Sequence, residues 1–335
     1  MIQLFKSANK TITPILIAVC IVLLIPSLYR SANLPLGQGY FIHNFISSFL
    51  KYFNNYQATV SWVFGTAIII YQVLLFNYLC NRYEVLPLKS NLPGYAFILI
   101  IAIIQESYFG SPASIGLIFL LYSFRSFLKG YVEAAEFHHF NSSIFAGIAL
   151  LLEPGYLPWI IVLFYNVIQN RAIRFKTVLL VIIGLLIPYY FVISGLYLFD
   201  LVGLQTYFYS TALLPSWNFA IFTNLYQALT VALLLVIIII GGYSIAKGGL
   251  GYTTLRIRKS MQVTIWILLS AIIGFVFYSN YAMNLGLFIM PASLLLAATM
   301  IEFKKPILAE LYNIFIISVT IFLVLSSYQL LPNYF

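Results

Sequence analysis

This chain of 335 residues has only eight side-chain carboxylates for acid–base work or hard-metal binding, so each can be placed. Glu106, Glu153 and Asp200 fall where long apolar stretches end, on the same predicted side as Arg30, His43 and Lys51. Charge beside hydrocarbon is costly unless it is hydrated or paired, so three acids sharing a side with three basic groups mark a candidate functional site. The competing reading is that each acid snorkels to water or pairs with a neighbouring helix end.

Other chemistries fail by counting. His43, His138 and His139 are too few for a four-histidine iron centre, and no second Glu-x-x-His set exists for a di-iron bundle. Glu133, Glu136 and His139 stand at one-turn spacing, which suits a single divalent metal, but nothing completes the coordination sphere. A solvated loop or helix cap over residues 130–140 is expected, with no metal site and no cofactor. Cys20 and Cys80 lie at mid-span and span end of different stretches, which excludes a disulfide. Residues 247–251 are glycine-rich but lack the Gly-Lys-Ser/Thr end of a phosphate loop, and no Gly-x-Ser-x-Gly or His-Glu-x-x-His occurs.

The elements that must position the candidate residues follow from composition. The chain is 62% hydrophobic and 7% charged, with a mean hydropathy of +0.99, which excludes a water-soluble fold. Its 26 Tyr and 29 Phe suit a protein with a large lipid-facing area and two interfacial belts. Eleven apolar runs long enough to cross hydrocarbon, or sheltered by neighbours, are predicted near 12–29, 57–80, 93–109, 112–128, 141–153, 156–169, 177–199, 222–245, 261–278, 284–301 and 307–329. The expected fold class is therefore an all-α, polytopic transmembrane bundle forming one domain over residues 1–335. The fifth and sixth runs are short, and Glu153-Pro154-Gly155 between them predicts a tight external turn or a re-entrant tip. Pro188 and Pro291, inside spans, predict kinks. Polar groups deep in the spans, Gln72, Ser123, Ser194, Gln227, Thr230 and Ser293, are scattered singly and not clustered as an ion path, so a transporter or flippase stands as a further alternative and not as the leading expectation.

With a cytoplasmic N-terminus, fifteen of the seventeen Lys and Arg fall on inside connections and only Arg30 and Lys51 outside. This is the positive-inside pattern of a multi-pass protein of a bacterial inner membrane. The basic residues sit singly or in twos to fours beside span ends, so the net charge of +9 points to anionic lipid and not to nucleic acid. Lys6 and Lys10 precede an apolar run with no small-x-small cleavage site, which predicts an uncleaved first helix. Two external segments are sizeable, 30–56 and 200–221. In the first, Ile42, Phe45, Ile46, Phe49, Leu50 and Phe53 form a helical apolar stripe opposite His43, Asn44, Ser47, Ser48 and Lys51, the pattern of an interfacial helix. The second, with Tyr207, Tyr209 and Trp217, is aromatic and interfacial too.

Asn77-Tyr-Leu-Cys-Asn, Leu86-Pro-Leu-Lys-Ser-Asn-Leu-Pro93, Phe145-Ala-Gly147-Ile-Ala-Leu, Arg171-Ala-Ile-Arg174 and Gly184-Leu-Leu-Ile-Pro188-Tyr together resemble an uncharacterised multi-pass inner-membrane family of Bacteroidota. They span about a third of the chain, and Phe175-Lys176 stands where that family's acidic residue and Trp are expected. The order of spans, interfacial helix, short fifth and sixth helices and a second loop after the seventh is similar to the C-type membrane glycosyltransferases. That resemblance implies transfer from a polyprenyl-phosphate donor at the external face and a lipid-filled groove between helices. Those enzymes usually carry an acid in the first external loop, and residues 30–56 have none. A catalytic role then falls to Glu106, Glu153 or Asp200, with Arg30, His43 or Lys51 holding a phosphate. Without that chemistry, the expectation is a non-catalytic membrane protein that binds lipid or partner proteins through Phe45, Phe49 and the aromatic loops, in envelope assembly or export.

Overall fold

The computed structural model describes residues 2–7, 9–27, 57–108, 111–130, 136–169, 174–198, 225–247, 255–277, 285–303 and 305–327. Among these the regular structure is helical, with no strand. A short α1 (Ile2–Lys6) and a 3-10 turn (Lys10–Ile12) lead into α2 (Thr13–Leu24), α3 (Gln57–Arg82), α4 (Leu92–Tyr108), α5 (Pro112–Gly130) and α6 (Glu136–Leu152). After a second 3-10 turn (Pro154–Tyr156) come α7 (Trp159–Gln169), α8 (Phe175–Leu198), α9 (Leu225–Lys247), α10 (Leu255–Phe277), α11 (Gly286–Glu302) and α12 (Pro306–Ser327). Each of the eleven predicted apolar runs coincides with one of the helices α2 to α12. By length and composition four are able to cross a membrane: Trp62–Arg82, Phe175–Gly195, Ile257–Val276 and Ile307–Ser326. About 20 residues at roughly 1.5 Å each span the hydrocarbon layer, so the chain is a membrane protein.

Proline marks several helix starts, at Pro14, Pro93, Pro112 and Pro306, where its missing N–H costs no hydrogen bond. The end of α3 is set by Glu84, whose φ of 53° is left-handed, while Val85 N–H donates to the Cys80 carbonyl at 3.0 Å. Pro188 and Pro291 stand inside α8 and α11, which run on past them.

The centre of the bundle is the pair α4 and α11. Residues 92–104 of α4 and Gly286–Met300 of α11 are buried all round, the mark of a helix enclosed by other helices. Around α4 pack α2, α3 and α12, and around α11 pack α9 and α10. A second layer runs from α5 through α6 to α8, and α7 bridges α6 and α10. Because lipid tails are as apolar as side chains, close packing and internal hydrogen bonds must hold such helices together.

Two of the quoted motifs meet here. Asn77 and Asn81, one turn apart on α3, grip the segment leading into α4. Asn81 Nδ2 donates to the Ser90 carbonyl and its Oδ1 accepts from Ser90 N–H, both at 2.9 Å. Asn77 Nδ2 donates to Asn91 Oδ1 at 2.8 Å, and Asn91 Nδ2 in turn donates to the carbonyls of Ser7 and Asn9. The clamp fixes α1, α3 and α4 at one end of the bundle. Cys20 and Cys80 are buried free thiols, in keeping with the excluded disulfide.

Candidate functional site

Of the three acids singled out by sequence, Glu153 is the one whose side chain lies among the described residues. It follows α6 in extended conformation, and its Oε1 accepts a hydrogen bond from Gly155 N–H at 3.1 Å. Tyr156 and Leu157 N–H then donate to the Glu153 and Pro154 carbonyls, closing a tight 3-10 turn. The Tyr156 ring is wedged between α5 and α11. It occupies space that side chains would fill at Gly116 and Gly286, where a Cβ would lie 2.8 Å from Tyr156 Cε2 and 2.7 Å from its hydroxyl oxygen. That hydroxyl donates to the Ala113 carbonyl at 2.7 Å. On the other flank Gly274 of α10 admits Pro158. The turn is thus set into the ends of the helices around it.

Glu153 is 1% exposed, and its Oε2 has no hydrogen-bond partner among the described residues. Burial pushes its carboxyl up to about 7, against a smaller lowering by the Gly155 N–H. A carboxyl poised there exchanges a proton near neutral pH, which is what acid–base work requires. Because the folded value lies above the ordinary value of 4.5, the protonated form is the one the fold favours. Its stabilising effect is complete below about 4.5 and is lost as pH rises through about 7. The melting temperature of the purified protein is therefore expected to fall between pH 5.5 and 8 more steeply than that of Glu153→Gln. Parallel profiles for the two proteins would refute a buried, unpaired carboxyl.

The remaining site residues from the sequence lie at the edge of the described set or outside it. Glu106 lies in the last turn of α4, with its side chain outside the described set. Asp200, Arg30, His43, Lys51, Phe45 and Phe49, and with them both external segments, lie outside the described residues. In the 130–140 segment, residues 136–140 begin α6 and so form a helix start. Glu136 pairs with Lys176 at 2.7 Å, whose hydrogen bond and charge hold its carboxyl below the usual range. His139 Nδ1 meets Asn166 Nδ2 at 3.2 Å. Two of the three groups weighed for a metal, Glu136 and His139, therefore have different partners, and Glu133 lies outside the described residues.

Ser123, one of the polar groups read as isolated, is not alone. Its hydroxyl meets Ser142 Oγ at 2.9 Å and accepts from Trp159 Nε1 at 3.1 Å, joining α5, α6 and α7. This buried network is a packing device, satisfied by its own members.

A groove that sequence reasoning did not locate runs between α2 and α12 over α4. It has a volume of about 300 Å³ and is lined by Ile15, Ala18, Val19, Val22 and Leu23 of α2, Tyr95 and Leu99 of α4, and Ile317 and Thr320 of α12. Its two polar groups spend their hydrogen bonds elsewhere: Tyr95 Oη donates to Asn313 Oδ1 at 2.8 Å and Thr320 Oγ1 to the Ile316 carbonyl at 2.7 Å. The wall left to a ligand is apolar. Val22 is 62% exposed and Ile15 43%, so the groove opens on the outer surface of the bundle and not toward its centre. The sequence signal was too diffuse to find it, since apolar residues spread over three helices look like any span face.

Compared with protein-family models, curated proteins and solved structures, the chain matches none.

Proposed function

We propose that this chain is a non-catalytic, multi-pass protein of the bacterial inner membrane that holds a lipid and serves envelope assembly or export, with the eleven helices α2 to α12 as its spans. The observation that carries this reading is the groove over α4. An apolar recess of this volume, near the lower end of small-ligand sites, has no use for water and opens where hydrocarbon surrounds the bundle. A lipid chain is the occupant that its walls and surroundings match. Ala18→Trp, which fills the groove from α2, is expected to remove at least half of a co-purifying lipid seen by native mass spectrometry while the protein still melts cooperatively. Equal lipid occupancy in wild type and Ala18→Trp would sink this reading.

A second reading, transfer from a polyprenyl-phosphate donor at the external face, is favoured by the unpartnered Glu153 Oε2 and its position near neutrality. Loss of envelope glycan in cells carrying Glu153→Gln at normal protein level would support it. Unchanged glycan in such cells, against a deletion that does change it, would end it.

A further inference from the structure

A second surface, away from the groove, carries chemistry that neither reading uses. Along α5 the partly exposed positions Ile115, Ile118, Tyr122, Arg125 and Lys129 recur every three or four residues, so they share one outward stripe. It grades from apolar to phenolic to basic. On the neighbouring α3, Tyr71 is 44% exposed, and its hydroxyl is hydrogen bonded to that of Tyr122 across the seam. Arg125 follows Tyr122 by one turn of α5, on the same stripe.

The donor and acceptor balance of this seam is one-sided. Two phenols bonded to each other use one O–H and leave the other. Arg125 brings five N–H donors and no acceptor, and its Nε is enclosed with no hydrogen-bond partner among the described residues. No carboxylate lies within ion-pair distance of Arg125 among those residues either. An arginine within a mainly apolar helix, unneutralised and facing outward, is costly unless something supplies negative charge. What fits is a group that only accepts hydrogen bonds and carries charge, attached to an apolar body that can lie along Ile115 and Ile118.

We propose that the α3–α5 seam is a binding site for an anionic membrane lipid, its phosphate held by Arg125 and Lys129 toward the Gly130 end of α5, its ester oxygens at the level of the Tyr71–Tyr122 pair and its chains along Ile118 and Ile115. Arginine forks match phosphate oxygens, and basic pockets between membrane helices are suited to anionic headgroups. The site is independent of the groove between α2 and α12.

The test is the melting temperature of the detergent-purified protein titrated with phosphatidylglycerol, with phosphatidylcholine and inorganic phosphate as comparison ligands. Phosphatidylglycerol is expected to raise it by more than phosphatidylcholine, whose chains can enter the apolar groove but whose headgroup has no net charge for Arg125 to pair. Arg125→Gln is expected to raise about fivefold the phosphatidylglycerol concentration needed for that excess, as for one basic residue at an anionic surface, with Tyr71→Phe and Tyr122→Phe acting in the same direction. Lys305→Gln, an exposed cation elsewhere, should leave the difference between the two lipids unchanged. Should Arg125→Gln not yield folded protein, the two phenylalanine variants carry the test. An equal response in the seam variants and wild type would overturn the proposal. So would stabilisation by inorganic phosphate at the same concentration, or a stoichiometric protein partner lost with Arg125→Gln while the lipid response persists.

Discussion

Gly147→Leu is expected to prevent accumulation of folded protein, and Gly147→Ala to cost about 1–3 kcal/mol, the usual range for overpacking a close contact. The cause is the crossing of α6 and α8. A Cβ on Gly147 would stand 2.7 Å from the Leu185 carbonyl oxygen and 3.1 Å from Pro188 Cγ. Across the same crossing, a Cβ on Gly184 would run into Ser143 Oγ and stand 2.9 Å from the Phe140 carbonyl oxygen. Each glycine thus lets the other helix's backbone approach, which is how small residues bind membrane helices. A rotating hydroxyl at Ser143 can yield, but the backbone at Leu185 cannot. Much of α8 faces outward, with Tyr190 at 67% and Phe191 at 69% exposed, so the contact with α6 is its main anchor. Gly195, farther along α8, has open space around it, and Gly195→Ala should be neutral or stabilise by up to about 1 kcal/mol through helix propensity. Thermal melting of the three variants in one detergent decides the matter. Equal melting of Gly147→Ala and Gly195→Ala would mean that the crossing is not as close as described.

Removing the Tyr156 ring is the second large effect. Tyr156→Ala should destabilise by about 3–5 kcal/mol, as for other buried aromatic truncations that leave a cavity. The ring is fully buried between α5 and α11 and fills room that Gly116 and Gly286 leave open. Tyr156→Phe keeps the ring and loses the bond to the Ala113 carbonyl, so it should cost about 0.5–1.5 kcal/mol. The contrast separates packing from hydrogen bonding. Unfolding in mixed detergent with rising dodecyl sulfate, followed by tryptophan fluorescence, gives both differences on one scale. If Tyr156→Phe cost as much as Tyr156→Ala, the hydroxyl rather than the ring would be what ties the turn to the bundle. A turn that came loose would also hydrate Glu153, and the steep pH profile expected of wild type would flatten in Tyr156→Ala.

The candidate site was legible only in part. Glu153 was identified from its place between two short apolar runs, because an acid next to Pro-Gly at a span end is visible in the chain order. Its complete burial was not, since that depends on α5, α10 and α11 closing around the turn. Arg125 was read as one of many inside charges, and its setting beside the Tyr71–Tyr122 pair became visible only when α3 and α5 lay side by side. The quoted motifs have a structural account that their letters did not reveal. Asn77, Asn81 and Asn91 clamp one end of the bundle, and Gly147, Gly184 and Pro188 form one crossing.

Composition and hydropathy by themselves determined that the chain is a helical membrane protein, and they located α2 to α12 among the described residues. The transfer of each residue from water to hydrocarbon is a local property, and backbone groups in that medium must be satisfied within the segment. Tertiary structure alone decided which of those helices are inside. Lipid and protein interior are equally apolar, so hydropathy does not distinguish α11, enclosed from Gly286 to Met300, from α8, which leans on the bundle by one face. That choice rests on which small residues meet which backbones and on where hydroxyls and amides find partners. Both are relations between residues far apart in the chain.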